Sequence, residues 1–194
     1  MRHGFVSGFA LVITMLALAA CSTQQKPGPY ASIDDSDRSA VLAEKLTKEA
    51  VDAMDKDPKA AERLLREALT ADLYHGPAHN NLGVLCLKQG RLYEAANEFE
   101  WARKVMPGHP NPRFNLALTL EKAGRTDEAI AMYETALEVY PGHVQSEQAL
   151  ARLIRYSGVK DARLDDYLKD VELRGETEQW RDWARRTLAM RREG

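Results

Sequence analysis

Cysteine is almost absent from this chain: Cys21 and Cys86 are the only two among its 194 residues. So few thiols cannot form a disulfide framework. An excess of charge of either sign is missing too. The 27 basic residues nearly balance the 29 acidic ones, leaving a net charge of −2. Such a chain lacks the basic footprint that sequence-independent nucleic-acid binding requires. Catalytic signatures are also missing: there is no Gly-rich phosphate loop, no G-x-S-x-G, no H-E-x-x-H and no paired-cysteine motif. The sequence therefore predicts no enzyme, no cofactor, no nucleic-acid partner and no small-molecule substrate.

Long hydrophobic runs are scarce, and the one at residues 5–20 is interrupted only by Ser7, Gly8 and Thr14. It follows Arg2 and His3 and ends in small residues, the layout of a secretory signal peptide. As a helix it would span roughly 24 Å, short of a ~30 Å hydrocarbon core. Its last residues, Leu18-Ala19-Ala20-Cys21, closely resemble the lipobox of bacterial lipoproteins. That resemblance implies a diacylglycerol on the Cys21 thiol, cleavage before it, and acylation of the new amino terminus. A cleaved signal without lipid and an uncleaved membrane anchor are the alternatives. Ser22 stands where an Asp would resemble an inner-membrane retention signal. The resemblance thus places the chain in a bacterial envelope, at the outer membrane facing the periplasm. Residues 21–37, polar and rich in turn formers, read as the lipidated cysteine and a tether of roughly 20–24 Å.

A period of 34 residues organises the chain beyond that tether. Laying residues 76–109 over 110–143 needs no gap. Leu82-Gly83 falls on Leu116-Ala117, Cys86 on Leu120, Gly90-Arg91 on Gly124-Arg125, and Ala95, Phe99 and Ala102 on Ala129, Tyr133 and Ala136. Pro107-Gly108-His109 recurs as Pro141-Gly142-His143. Leu82, Leu85, Cys86 and Gln89 have helical spacing, and Gly90 reads as the glycine that ends a helix. Gly83, Ala95 and Ala102 are small enough for two helices to approach closely, with Phe99 as the knob between them. Pro107 ends the second helix. Asn111 before Pro112 reads as an N-cap with proline at the first helical position.

These stretches resemble the tetratricopeptide repeat, a 34-residue helix–turn–helix unit. The resemblance implies an all-α fold of about nine helices: a short right-handed solenoid of three to four repeats. The copies are expected at about 42–75, 76–109, 110–143 and 144–175, within a solenoid of residues 38–175. In the first copy a helix at about 38–54 lies one residue out of register. Asp57-Pro58 then opens a second helix carrying Ala61, Leu65 and Ala68. In the fourth copy Leu150-Ala151, Ile154 and Gly158 fall in place, but Arg163 and Asp170 occupy positions where small residues belong. Residues 176–194 place Trp180, Trp183, Ala184, Thr187 and Leu188 on one helical face, as an amphipathic cap.

In that family the first helices of the repeats line a concave face that binds segments of partner proteins. The matching positions are Asn80, Asn81, Val84, Leu87 and Lys88; then Phe114, Asn115, Leu118, Glu121 and Lys122; then Gln145, Gln148, Arg152, Arg155 and Tyr156. Asn81 and Asn115 stand where an amide, both donor and acceptor, grips a bound backbone in relatives or simply faces water. A Lys–Asn–Asn–Lys–Arg clamp for a terminal carboxylate is not reproduced. Its positions hold Asn80, Val84, Asn115, Gln145 and Ala149.

His75, His109 and His143, also 34 apart, read as turn residues at repeat boundaries. Packed helices ~8–10 Å apart cannot bring them around one metal ion. Cys86 reads as a small core residue. Arg181, Arg185, Arg186, Arg191 and Arg192 either complement the last helix's dipole or meet an acidic partner or lipid headgroups. The whole reads as a lipid-anchored adaptor for other envelope proteins. Layout alone also fits a pilotin-like assembly factor of a type IV or tight-adherence pilus or secretion system, or a self-associating module.

Overall fold

The computed structural model describes residues 39–158 and 160–193. The expected leader (1–20), the lipidation site Cys21 and the tether (to residue 37) lie outside the described residues. Among the described residues the secondary structure is nine α-helices and no strand. They are α1 (Ala40–Ala53), α2 (Pro58–Ala71), α3 (Gly76–Lys88), α4 (Leu92–Val105), α5 (Pro110–Lys122), α6 (Thr126–Val139), α7 (Val144–Ser157), α8 (Leu164–Arg174) and α9 (Glu178–Glu193). Odd-numbered helices pack on the even-numbered helix that comes next, each even helix packs on the next odd one, and α3 also touches α1 and α5. The described residues form an all-α solenoid of helical hairpins, as the 34-residue period predicts.

Small residues set the helix spacing. Ala61, Ala68, Ala95, Ala102, Ala129 and Ala136 are fully buried. Between each pair sits one large side chain, Leu65, Phe99 or Tyr133, also with no exposed surface. A Cβ at Gly83 would lie 2.6–2.9 Å from three carbons of the Phe99 ring. The ring therefore rests directly on the α3 backbone.

The helix ends obey local chemistry. Asp57 caps α2, accepting from the Ala60 amide at 3.0 Å, with Pro58 in the first turn. Gly90 and Gly124 have φ of +76°. At the first, the Arg91 amide reaches the Cys86 carbonyl at 2.9 Å; at the second, the Arg125 amide reaches that of Leu120 at 2.9 Å. Those bonds satisfy carbonyls that the helix leaves free, through a left-handed residue. A side chain at Gly124 would meet nothing within 4 Å, so its substitution isolates the backbone strain. Gly124→Ala is expected to lower unfolding free energy by about 1–2 kcal/mol, read by urea denaturation. An unchanged midpoint would contradict the left-handed turn.

Three sequence expectations need correcting. Helix α5 begins at Pro110 with His109 as its N-cap residue, not at Pro112 after an Asn111 cap. Proline suits both places, because the first-turn amides have no intrahelical acceptor in any case. Second, Arg163 and Asp170 do not occupy the core positions of α8. Leu164, Leu168 and Val171 do, at 4%, 0% and 0% exposure. The register slips by one residue because the α7–α8 turn, residues 158–163, is longer than the three-residue turns at 89–91 and 123–125. Third, α1 starts 36 residues ahead of α3 while α2 starts 34 ahead of α4, so the first helix of that copy is offset by two residues rather than one.

The slip in α8 is undone at once. The α8–α9 turn (175–177) is one residue shorter than those at 106–109 and 140–143, and α9 begins 34 residues after α7. Ala184 and Leu188, at 0% and 4% exposure, take the places of Leu82 and Cys86. The cap is thus the first helix of a fifth repeat. Among the described residues no helix is long and apolar enough to cross a membrane.

Candidate functional site

Equivalent positions on α3, α5, α7 and α9 form one continuous surface. Asn80, Asn81, Val84 and Leu87 on α3 are half-buried, as are Phe114, Asn115, Leu118 and Glu121 on α5, while Lys88 and Lys122 are exposed. Adjacency is direct: the Asn115 side-chain amide donates to Asn80 Oδ1 at 3.0 Å across the two helices. Asn115 therefore pairs with Asn80 and not with Asn81, and this pair leaves the second Asn115 amide hydrogen and the carbonyl lone pairs for a guest.

Phe114 is held from below. Its ring lies 5.4 Å from His143, edge-on, and 5.6 Å from Tyr133. Burial keeps the His143 imidazole below its ordinary pKa and hence neutral. A neutral ring can donate from Nε2 to Asn111 Oδ1 at 3.2 Å while Nδ1 accepts from the Ser146 hydroxyl at 2.8 Å. Tyr133 donates its hydroxyl to Glu121 Oε2 at 3.2 Å. Burial, and then the Glu121 carboxylate, push that phenol far above its usual range, so it stays a donor. Glu121 also accepts from Arg152 at 2.7 and 2.8 Å. This links α5 to α7 with a charge-assisted pair.

On α7 the expected positions divide. Gln148 is only 4% exposed. It donates to the Glu176 carboxylate at 3.1 Å and accepts from the Glu176 amide at 2.8 Å. Gln145 donates to the other oxygen of Glu176 at 2.7 Å. Gln148 therefore ties α7 to the α8–α9 turn. Arg155 and Tyr156 are exposed, with the guanidinium 5.8 Å from the Tyr156 ring centre. Beside them α9 adds Trp183, whose indole NH donates to the Tyr156 hydroxyl at 3.3 Å, together with Arg186 and Met190. Sequence reading placed these three in a cap. The 34-residue spacing from Ala149, Arg152 and Tyr156 was the signal that would have found them.

The histidines at 34-residue spacing occupy the N-cap positions of α3, α5 and α7. His79, one turn into α3, is fully buried between Glu98 Oε2 at 2.7 Å and the Leu73 carbonyl at 2.8 Å, stacked on Trp101 at 5.6 Å. It ties α3 to α4. Cys86 is buried, and that burial pushes its thiol up to about 11. The thiolate is the nucleophile, so native Cys86 is expected to react with a thiol reagent at pH 8 at least ~10-fold more slowly than in urea. Equal rates would show that α3 opens readily.

Residues 74–142, covering α3 to α6, match the family model described as Tetratricopeptide repeat. No curated protein matches the chain. Among solved structures, an O-GlcNAc transferase of Thermobaculum terrenum superposes with a TM-score of 0.62 at 25% identity. The match covers 79% of this chain but 27% of that one, so the resemblance extends over little of the enzyme's length. MamA gives 0.59 at 19% identity, covering 80% and 83% of the two chains. The first tetratricopeptide domain of Spaghetti (RPAP3), bound to the HSP90 peptide SRMEEVD, gives 0.59 at 14% identity, covering 63% and 98%. The shared feature is the helical-repeat solenoid.

Proposed function

We propose that this chain is a non-enzymatic adaptor, anchored in a bacterial envelope through lipid on Cys21, that holds segments of partner proteins on the face of its odd-numbered helices. One observation carries the reading. Val84, Leu87, Phe114 and Leu118 are apolar side chains left half-exposed in a row, flanked by the Asn80–Asn115 pair, with no further helix over them among the described residues. A row of apolar anchors beside amide groups suits a peptide or helix held along its length. The Leu18-Ala19-Ala20-Cys21 quartet supports the anchoring, and Ser22 favours the outer membrane. The partners are then other envelope proteins.

The test is affinity capture from native membranes, comparing wild type with Leu87→Asp/Leu118→Asp. Both leucines are only half-buried, so helix content by circular dichroism should hold. Proteins recovered by wild type and lost by the folded variant would support the adaptor reading. Recovery of the same set by both would remove this face from consideration.

A further inference from the structure

Arginines in the second half of this chain are mostly paired. Arg152 meets Glu121, Arg174 meets Glu147, Arg181 meets Glu178, Arg185 meets Glu172 and Asp182, and Arg191 meets Asp165. Arg155 and Arg186 differ: both are exposed, and neither meets a carboxylate among the described residues. The nearest acid in sequence on α9, Asp182, is taken by Arg185 at 2.7 Å. These two arginines line one cavity of about 380 Å³ together with Tyr156, Trp183 and Met190. Its size falls in the ~300–1,000 Å³ range of ligand clefts. Tyr156 is 68% exposed and Met190 59%, an aromatic and aliphatic platform between two unneutralised guanidiniums. Lys122, exposed one repeat away, extends positive charge along a face of a chain whose net charge is −2.

Resting on the adaptor reading, we infer that the guest is an acidic peptide segment. One of its side-chain carboxylates sits between Arg155 and Arg186, and an adjoining aromatic or large aliphatic side chain lies over Tyr156, Trp183 and Met190. Guanidinium forks fit carboxylates in a way that lysine ammonium groups do not. Aromatic anchors with an arginine rim concentrate binding energy in few residues. The recognised carboxylate belongs to a side chain, since the positions of a terminal-carboxylate clamp hold Asn80, Val84, Asn115, Gln145 and Ala149.

The experiment uses the purified full chain and three fluorescein-labelled peptides blocked at both ends. The first is glutamate-rich with one central phenylalanine, the second replaces glutamate by lysine, and the third replaces phenylalanine by alanine. Anisotropy should show binding of the first, about tenfold weaker binding of the third, and none of the second. Arg155→Ala/Arg186→Ala should weaken the first by about tenfold or more, and added salt should weaken it further. Arg155→Gln/Arg186→Gln, which keeps the aliphatic stems, should behave alike with an unchanged melting temperature. Equal binding of the lysine peptide, no loss in the arginine variants, or no binding of any peptide at about 1 mM overturns the inference. The underlying reading is judged separately by membrane capture. If Leu87→Asp/Leu118→Asp loses partners that the arginine variant retains, the adaptor stands and the acidic guest falls. If neither variant loses a partner, both fall.

Discussion

Phe99→Ala is expected to lower the unfolding free energy by about 3–5 kcal/mol, a large fraction of the roughly 5–15 kcal/mol that holds a domain folded. The ring is fully buried and lies against Gly83, which has no side chain that could move into the space left behind. Ala95 and Ala102, one turn to either side, are already fully buried and have no further reach. The cavity would therefore stay open. In a stacked array each repeat is stabilised by its neighbours, so a loss in the second repeat also weakens the first and third. Tyr133→Phe is the contrast: it keeps the ring and removes only the hydroxyl bond to Glu121, for about 0.5–1.5 kcal/mol. Urea denaturation of the two variants gives both numbers. A Phe99→Ala cost below about 1 kcal/mol would mean that the ring does not set the α3–α4 spacing.

In the proposed anchoring, Cys21→Ser should abolish incorporation of radiolabelled palmitate and leave a longer chain that keeps its leader. A hydroxyl cannot replace the thiol that takes the diacylglycerol. Each acyl methylene contributes about 0.8 kcal/mol of membrane affinity, and one chain alone binds only marginally, so losing all of them is decisive. Label retained in the serine variant would exclude Cys21 as the attachment point. A wild-type chain that is cleaved but unlabelled would favour a secreted protein without lipid.

What the sequence disclosed was periodic. Ala61-Leu65-Ala68, Ala95-Phe99-Ala102 and Ala129-Tyr133-Ala136 mark successive hairpins, and all nine residues are buried as their spacing predicts. Gly90, Gly124 and Gly158 mark turns and adopt positive φ. What stayed hidden was wherever the period broke. The extra length of the α7–α8 turn moved the core of α8 onto Leu164, Leu168 and Val171, and the short α8–α9 turn restored the register. The α8–α9 turn lacks the Pro-Gly-His sequence of the boundaries at 107–109 and 141–143, so the register that α9 shares with α3, α5 and α7 was hidden. The surface was legible in outline only. Helical spacing placed Phe114 and Leu118 on one face, but which amide meets which, Asn115 with Asn80 and Gln148 with Glu176, depends on side-chain torsions that no spacing rule contains.

The most direct test of the central claim is site-specific photo-crosslinking in native membranes. A photoreactive amino acid is placed at Leu118, in the middle of the proposed face, or at Tyr93, 80% exposed on α4, an even-numbered helix. The adaptor account predicts defined crosslinked partners from position 118 and none from position 93. Crosslinks from position 93 alone would put the partner on the opposite surface and contradict the account.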